Sequence, residues 1–147
     1  MLTQNDINEA CEIIRGKVHR TPLVSATMLG ETTGTNLFLK CEMLQKTGSF
    51  KPRGALNKLA HLSAAEKARG LISASAGNHA QGVAYAARLE NVRVSVVMPE
   101  NAPLAKVNAV RGYGAEVLLF GTVNTMFDKA GEIQQARGLT WVHPFDD

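Results

Sequence analysis

The second half of the chain alternates between short apolar segments and longer segments in which apolar residues recur every three or four positions. The short segments predict strands at residues 71–74, 92–98, 115–120 and 140–143. The longer segments predict helices at residues 78–89, 103–111 and 124–136. This alternation predicts right-handed crossovers and an α/β fold: an open parallel sheet of about four strands with helices on both faces.

The first seventy residues have a less regular pattern. Helical spacing of apolar residues over residues 7–18 predicts an amphipathic helix, and alternation at residues 37–41 predicts a strand. Helical spacing resumes at Phe50, with Ser49 as the candidate N-cap. A capping-box pattern at residues 63–66 then opens a short helix. We therefore expect an N-terminal helical segment attached to the α/β unit.

The composition is that of one ordinary domain, with 45% hydrophobic and 20% charged residues among 147. The net charge is only +3, the basic residues are scattered and aromatic residues make up 5%, so nucleic acid is not an expected partner. The start of the chain lacks the cationic character of a signal peptide, and no apolar run is long enough to span a bilayer. We expect a soluble cytoplasmic protein without a membrane partner.

The positions of the cysteines and histidines predict neither a disulfide nor a metal site. Cys11 and Cys41 are far apart in sequence and lie on apolar periodic faces, which predicts buried free thiols in a reducing compartment. The histidines are too widely spaced to predict a ligand set, at residues 19, 61, 79 and 143. No metal ion is therefore predicted.

Two unusual loops follow predicted strands, and ligands of open parallel sheets bind at the carboxyl ends of the strands. The first loop is GSFKPRGA, residues 48–55. Its Lys51 lies near a helix N-terminus and beside Arg53, a like charge that disfavours the ammonium form and leaves more free amine to attack a carbonyl. The alternative is a solvated lysine whose stem packs against Phe50. The spacing matches neither a phosphate loop nor a dinucleotide fingerprint.

The second loop is SASAGNHAQG, residues 73–82, in which small residues lead directly into a helix. Their N–H groups can converge on a carboxylate or a phosphate, with the Ser75 hydroxyl and the Asn78 amide as further donors. A tight strand-to-helix turn with an ordinary cap explains the same residues equally well. His79 taken alone is more typical of a packing histidine than of a catalytic one.

Taken together, SFKPRGA and SAGNHAQG resemble the threonine/serine dehydratase branch of the fold-type II enzymes that use pyridoxal 5'-phosphate (PLP). The resemblance extends along the whole chain through four further segments, HRTPL, LFLKCE, VVMPENAPLAKV and HPFDD. It implies that PLP is the cofactor and that threonine or serine, a small amino acid, is the substrate. The implied reaction is an α,β-elimination that yields a 2-keto acid and ammonia.

The resemblance also implies a role for each site residue. Lys51 corresponds to the lysine that attaches the cofactor and moves the substrate α-proton, and Phe50 to the residue that packs near the cofactor. Asn78 corresponds to the asparagine that donates to the cofactor 3'-oxygen. The loop that receives the substrate carboxylate corresponds to Ser75, Ala76, Gly77 and His79. Related serine racemases carry a second serine at position 76, so Ala76 favours a dehydratase over a racemase.

The resemblance further implies a division of the chain. Residues 43–147 correspond to the small α/β domain with the PLP lysine, and residues 1–42 to a segment that packs on a larger domain. Family enzymes continue well beyond this length, and their glycine-rich phosphate loop lies in that later part. We therefore expect a truncated chain that is inactive alone and self-associates as a homo-oligomer.

Three alternatives remain open at this stage. The chain could be a non-catalytic, self-associating α/β module derived from a dehydratase, or it could be a serine racemase-like enzyme. It could also be a small-ligand or nucleotide-binding domain that uses the loop at residues 75–79.

Overall fold

Six strands and seven helices make up residues 1–145, the part of the chain described by the structure, a computed structural model. The strands are β1 (Leu23–Ser25), β2 (Phe38–Lys40), β3 (Leu71–Ala74), β4 (Val94–Met98), β5 (Glu116–Leu119) and β6 (Thr140–Trp141). The helices are α1 (Gln4–Ile14), α2 (Thr27–Thr33), α3 (Lys51–Ala60), α4 (Ala64–Arg69), α5 (Asn78–Leu89), α6 (Leu104–Gly112) and α7 (Met126–Arg137). Asp146 and Asp147, the end of the HPFDD segment, lie outside the described residues.

The last four strands form one parallel sheet in the order β5-β4-β3-β6. Every residue of β3 and β4 is buried, as expected for central strands that are covered on both faces. The edge strand β5 is only partly covered. The prediction of an open parallel sheet of about four strands is therefore confirmed.

Helices cover both faces of this sheet, as predicted. On one face α3, α5 and α6 enclose a core whose largest fully buried side chains include Leu56, Leu59, Val83 and Val110. On the other face α7 packs Met126 and Ala130 onto Ile72, Ala74 and Val97. Burying each leucine of the first core contributes about 1.5–3 kcal/mol to stability, so α3 is firmly attached to the α/β unit.

The N-terminal part is joined to the α/β unit but buries little itself. The helix α1 begins with a Thr3–Asp6 capping box and has no buried residue. Ile14 and Val18 pack at the margin of the first core. The antiparallel pair β1 and β2 is exposed along its whole length. Several large apolar side chains of this part therefore face outward.

Two sequence expectations are wrong in detail, and one helix was not predicted. Ser49 is not the N-cap of α3: the cap is Phe50, and no side chain makes the capping hydrogen bond. The helix α2 was not predicted, because its polar and small residues lack helical apolar spacing. Cys11 is exposed rather than buried, since α1 is covered only along one edge, whereas Cys41 is partly buried; both thiols are free.

Neither a membrane span nor a metal centre is found within residues 1–145. The helices there are too short or too polar to cross a bilayer. In the same range, no cluster of three or more histidine, cysteine, aspartate or glutamate side chains could hold a metal ion.

Candidate active site

The two sequence loops meet because α5 crosses directly over the first residues of α3. Gly82 makes this crossing possible. A Cβ atom on Gly82 would lie 3.0 Å from the carbonyl carbon and the Cβ of Lys51, and 3.2 Å from the nitrogen of Pro52. Backbone atoms cannot move aside as a flexible side chain can, so only glycine permits this approach. The last glycine of SAGNHAQG thus fixes one loop against the lysine of the other.

Lys51 is the first residue of α3, and its amine is partly buried. Its Nζ donates to the carbonyl oxygen of Pro144 at 3.0 Å. The same atom lies 5.4 Å from the centre of the Phe50 ring and 5.8 Å from that of Phe145, within cation–π range. One hydrogen bond and two cation–π contacts hold the amine in place and leave it available to a ligand.

Lys51 opens onto a cavity of about 460 Å³, within the usual range for small-molecule sites. Phe50 and His79 share its wall, together with Asn57 from α3. The amide oxygen of Asn57 is buried and has no hydrogen-bond partner within the described residues. Among residues 1–145 no carboxylate lines the cavity, so its polar character comes from amines, imidazoles and amides.

Arg53 points away from this cavity and is not the uncompensated like charge that the sequence suggested for Lys51. Its Nε and one terminal nitrogen donate to the two oxygens of Glu42 at 2.9 and 2.8 Å. The hydroxyl of Thr21 donates to the same carboxylate at 2.5 Å. The hydrogen bonds from Arg53 are the main cause that lowers the pKa of Glu42 to about 2. This network ties the HRTPL and LFLKCE segments to the first turn of α3.

The loop at residues 75–77 is held by hydrogen bonds from its backbone N–H groups. The N–H of Ser75 donates to the carbonyl of Val97 at 3.1 Å, and that of Gly77 donates to the Ser75 hydroxyl at 3.2 Å. Gly77 is the N-cap of α5, and no side chain caps that helix. Asn78 is therefore not a cap: it is the first residue of α5 and is exposed.

The structure brings the predicted site residues into two neighbouring groups. Lys51, Phe50 and His79 line the cavity, where His79 is buried with its Nε2 3.3 Å from the carbonyl oxygen of Val142. The second group lies on the adjacent loop and does not line this cavity; it consists of Ser75, Ala76, Gly77 and Asn78. Both groups are at the carboxyl edge of the sheet.

Sequence reasoning missed Gly82 and Glu42. Gly82 is the last letter of the SAGNHAQG motif, but its contact with Lys51 depends on how two helices cross. Glu42 lies eleven residues before Arg53, and only the two short turns between them bring the carboxylate and the guanidinium together.

A parallel α/β sheet with a partly buried lysine and a small-residue loop at its carboxyl edge is typical of a small-molecule-binding domain. More particularly, the chain belongs to the pyridoxal-phosphate dependent enzyme family, whose sequence model matches residues 14–147.

Two curated relatives match the whole chain. An L-threonine ammonia-lyase of Thermotoga maritima is 49% identical over 148 residues. A catabolic L-threonine dehydratase of Staphylococcus aureus is 48% identical over 149 residues. The matched region amounts to 37% of the first relative and 43% of the second. This chain therefore spans less than half the length of the curated relatives it matches.

Solved structures of two kinds are similar to this chain. The serine racemase of Dictyostelium discoideum superposes with a TM-score of 0.87 and 39% identity, over 99% of this chain and 48% of that one. The threonine deaminase of T.th. superposes with a TM-score of 0.84 and 46% identity, over 99% of this chain and 46% of that one.

The observed donor set fits the aldehyde end and the ring of PLP. The Lys51 amine is the nucleophile that an aldehyde requires, and it lies beside the flat face of Phe50 in a cavity of about 460 Å³. The unengaged amide oxygen of Asn57 is the kind of buried polar group that a ligand would satisfy. The residues present are thus compatible with the cofactor of the family.

Proposed function

We propose that this chain forms the lysine-bearing part of a PLP-dependent L-threonine/L-serine dehydratase. The observation that carries the proposal is the crossing of α5 over Lys51 at Gly82, which brings the helix that follows the small-residue loop against the residue that bears the amine. The names of the two curated relatives support threonine as a substrate. We further propose that the enzyme is cytoplasmic, which agrees with its two free thiols.

In this proposal each group has a definite task. PLP, when bound, supplies an electron sink for the bond that breaks at the substrate α-carbon. Lys51 would hold the cofactor through its amine, and Asn78 would donate to the cofactor's ring oxygen. Lys51, once released, would take the substrate α-proton on Nζ and return a proton to the departing β-hydroxyl, which leaves as water. The loop formed by Ser75, Ala76, Gly77 and His79 holds the substrate carboxylate. Hydrolysis of the product gives the 2-keto acid and ammonia.

A selective labelling experiment tests the role of Lys51. The chain is incubated with PLP, reduced with borohydride, and digested, and the adducts are located by peptide mass. We expect label at Lys51 ahead of every other lysine, because its amine lies inside the cavity, 5.4 Å from the centre of the Phe50 ring. Lys58 also lines this cavity, so its label is compared as well. Lys129, partly exposed on α7 and paired with Glu132 at 2.7 Å, is the comparison lysine. Equal label at Lys51 and Lys129 would contradict the proposal.

Turnover is tested at the length of the relatives. The 147-residue chain is assayed alone, and also in place of the matched region of the Thermotoga maritima relative. We expect keto acid from L-threonine only with the longer polypeptide, because the 147 residues span only 37% of that relative's length. Lys51→Ala should abolish this activity and Lys129→Ala should not. Absence of keto acid from the longer polypeptide would favour a non-catalytic module.

A serine racemase is the second candidate, and the Dictyostelium discoideum structure favours it. Racemisation requires a proton donor on the face opposite Lys51. Ala76 has no hydroxyl to provide one, so the proposal predicts pyruvate from L-serine without D-serine. Chiral chromatography of the products distinguishes the two reactions, and D-serine would overturn the dehydratase assignment.

We also propose that residues 1–42 pack on a larger domain, and that the chain alone self-associates through the same surface. The support is the group of exposed apolar side chains on β1 and β2, in which Leu23 is 62% and Phe38 is 57% exposed. Light scattering should show dimers or larger species that dissociate in Phe38→Ser. A monomer at all concentrations would contradict self-association.

A further inference from the structure

Lys106 belongs to the VVMPENAPLAKV segment, to which the proposed function assigns no role. It lies in the first turn of α6, and its side chain crosses Gly77, the N-cap of α5. A Cβ atom on Gly77 would lie 2.8 Å from Lys106 Nζ, 3.4 Å from its Cδ and 3.5 Å from its Cε. The ammonium of Lys106 thus occupies the space that any other residue at position 77 would fill.

The charge of Lys106 is not compensated within the part of the chain that the structure describes. Its ammonium makes no ion pair and no hydrogen bond there. Neither α5 nor α6 has an acidic residue in its first turn. A cation gains nothing from a helix dipole at this end, and yet the stem of Lys106 folds onto Gly77 instead of extending into solvent. The ammonium of Lys106 therefore places a positive charge beside the loop, where it is available to bind an anion.

We propose that Lys106 binds the substrate carboxylate at the loop formed by residues 75–77, and so selects amino acids over their uncharged amides. The proposal rests on the proposed function, because the substrate at this loop is taken to be an α-amino acid. It also gives Gly77 a reason to be glycine, since a side chain there would push the ammonium away. A flexible ammonium adds a full positive charge to the hydrogen bonds that the backbone N–H groups of the loop can donate to a carboxylate.

The test measures binding on the 147-residue chain, without turnover. L-threonine and L-threonine amide are titrated separately while the amide resonances of residues 75–79 are followed by NMR. We expect both ligands to shift these resonances. The apparent affinity for L-threonine amide should be about tenfold weaker than that for L-threonine. Lys106→Met should weaken L-threonine about tenfold and remove the preference over the amide, while Lys106→Arg should retain it.

Two controls separate this inference from simpler explanations. Lys129→Met removes an equivalent charge from α7 and should leave both affinities unchanged. Gly77→Ala keeps Lys106 but displaces its ammonium, and should reproduce the loss seen in Lys106→Met. Preserved amide dispersion in the spectra shows that each variant is folded.

The outcomes also separate this inference from the proposed function. No shift of residues 75–79 by L-threonine, or an unchanged affinity in folded Lys106→Met, overturns the role of Lys106 even if Lys51 is selectively labelled by PLP. The opposite result is threonine binding that depends on Lys106, without selective labelling of Lys51 by PLP. That result would support the carboxylate site and contradict the dehydratase assignment.

Discussion

The two sides of α3 are attached to the rest of the molecule in different ways. On one side α3 packs against α5 through the buried Leu56 and Leu59, and the backbone of Lys51 touches Gly82. On the other side its first turn is joined to the N-terminal part by polar groups, with Arg53 bound to Glu42 at 2.9 and 2.8 Å.

This difference indicates how the Lys51 amine is positioned. Close packing with α5 sets the position of the helix, and this packing is made mainly by apolar side chains and backbone. The Arg53–Glu42 pair sets the direction of the first turn relative to the HRTPL segment, and it depends on the ionisation of one carboxyl group. The packed side should therefore carry more stability, and the polar side should respond to solution conditions.

Gly82→Ala breaks the packed side and should have the largest effect. The added methyl group meets backbone atoms of Lys51 and Pro52 at 3.0–3.2 Å, so one helix must shift. We expect a loss of about 1–3 kcal/mol in the free energy of unfolding, measured by urea denaturation. Selective labelling of Lys51 by PLP should fall as well, because the amine moves with its helix.

Gly131→Ala is the matched control in α7. It is also a helical glycine, but a Cβ atom there would meet nothing within 4 Å. Alanine should stabilise α7 by about 0.5–1 kcal/mol. The two substitutions should thus have opposite signs, and a stabilising effect of Gly82→Ala would show that α5 does not press on Lys51.

Glu42→Gln breaks the polar side and should cost about 2 kcal/mol above pH 5, the value of a hydrogen-bonded charged group that is largely buried. The pKa of Glu42 is lowered from 4.5 to about 2 in the folded state. Its contribution is therefore complete above 4.5 and is lost as the pH falls toward 2. Urea denaturation of the unmodified protein and of Glu42→Gln between pH 2 and pH 7 should show a difference in the free energy of unfolding. This gap should close at the acid end.

Glu12→Gln provides the control for the polar side. Glu12 is paired with Arg15 on the exposed surface of α1, where an ion pair contributes little. Its denaturation midpoint should match that of the unmodified protein at neutral pH. A Glu42→Gln gap that persists unchanged at pH 2 would mean that the lost carboxylate is not the cause.

The sequence was sufficient for the regular part of the molecule and insufficient for contacts between distant segments. Strands such as β4 could be predicted because a fully buried strand is mostly apolar, here with Ser95 as the one polar residue. The partner of Arg53 could not be predicted, because the spacing of apolar residues does not indicate which turn approaches which helix. The exposure of Cys11 was missed for the same reason: apolar spacing marks a face of α1 but not how much of that face is covered.

The contact between α1 and the end of α3 offers the smallest effect and the finest test of the polar side. His61 Nδ1 lies 2.8 Å from the carbonyl oxygen of Asn57, and its Nε2 lies 3.3 Å from Glu9. Both contacts raise the pKa of His61 above 6.5, Asn57 more than Glu9. The contact therefore stabilises the fold fully below pH 6.5 and is lost as the pH rises through the folded-state pKa.

An NMR titration of the His61 ring should have its midpoint above 6.5, and Glu9→Gln should lower that midpoint without abolishing the shift. Glu31→Gln, which removes an exposed carboxylate of α2, should leave it unchanged. If Glu9→Gln does not move the midpoint, α1 is held to α3 by its apolar edge at Ile14 alone, and the polar attachment is confined to the first turn beside Lys51.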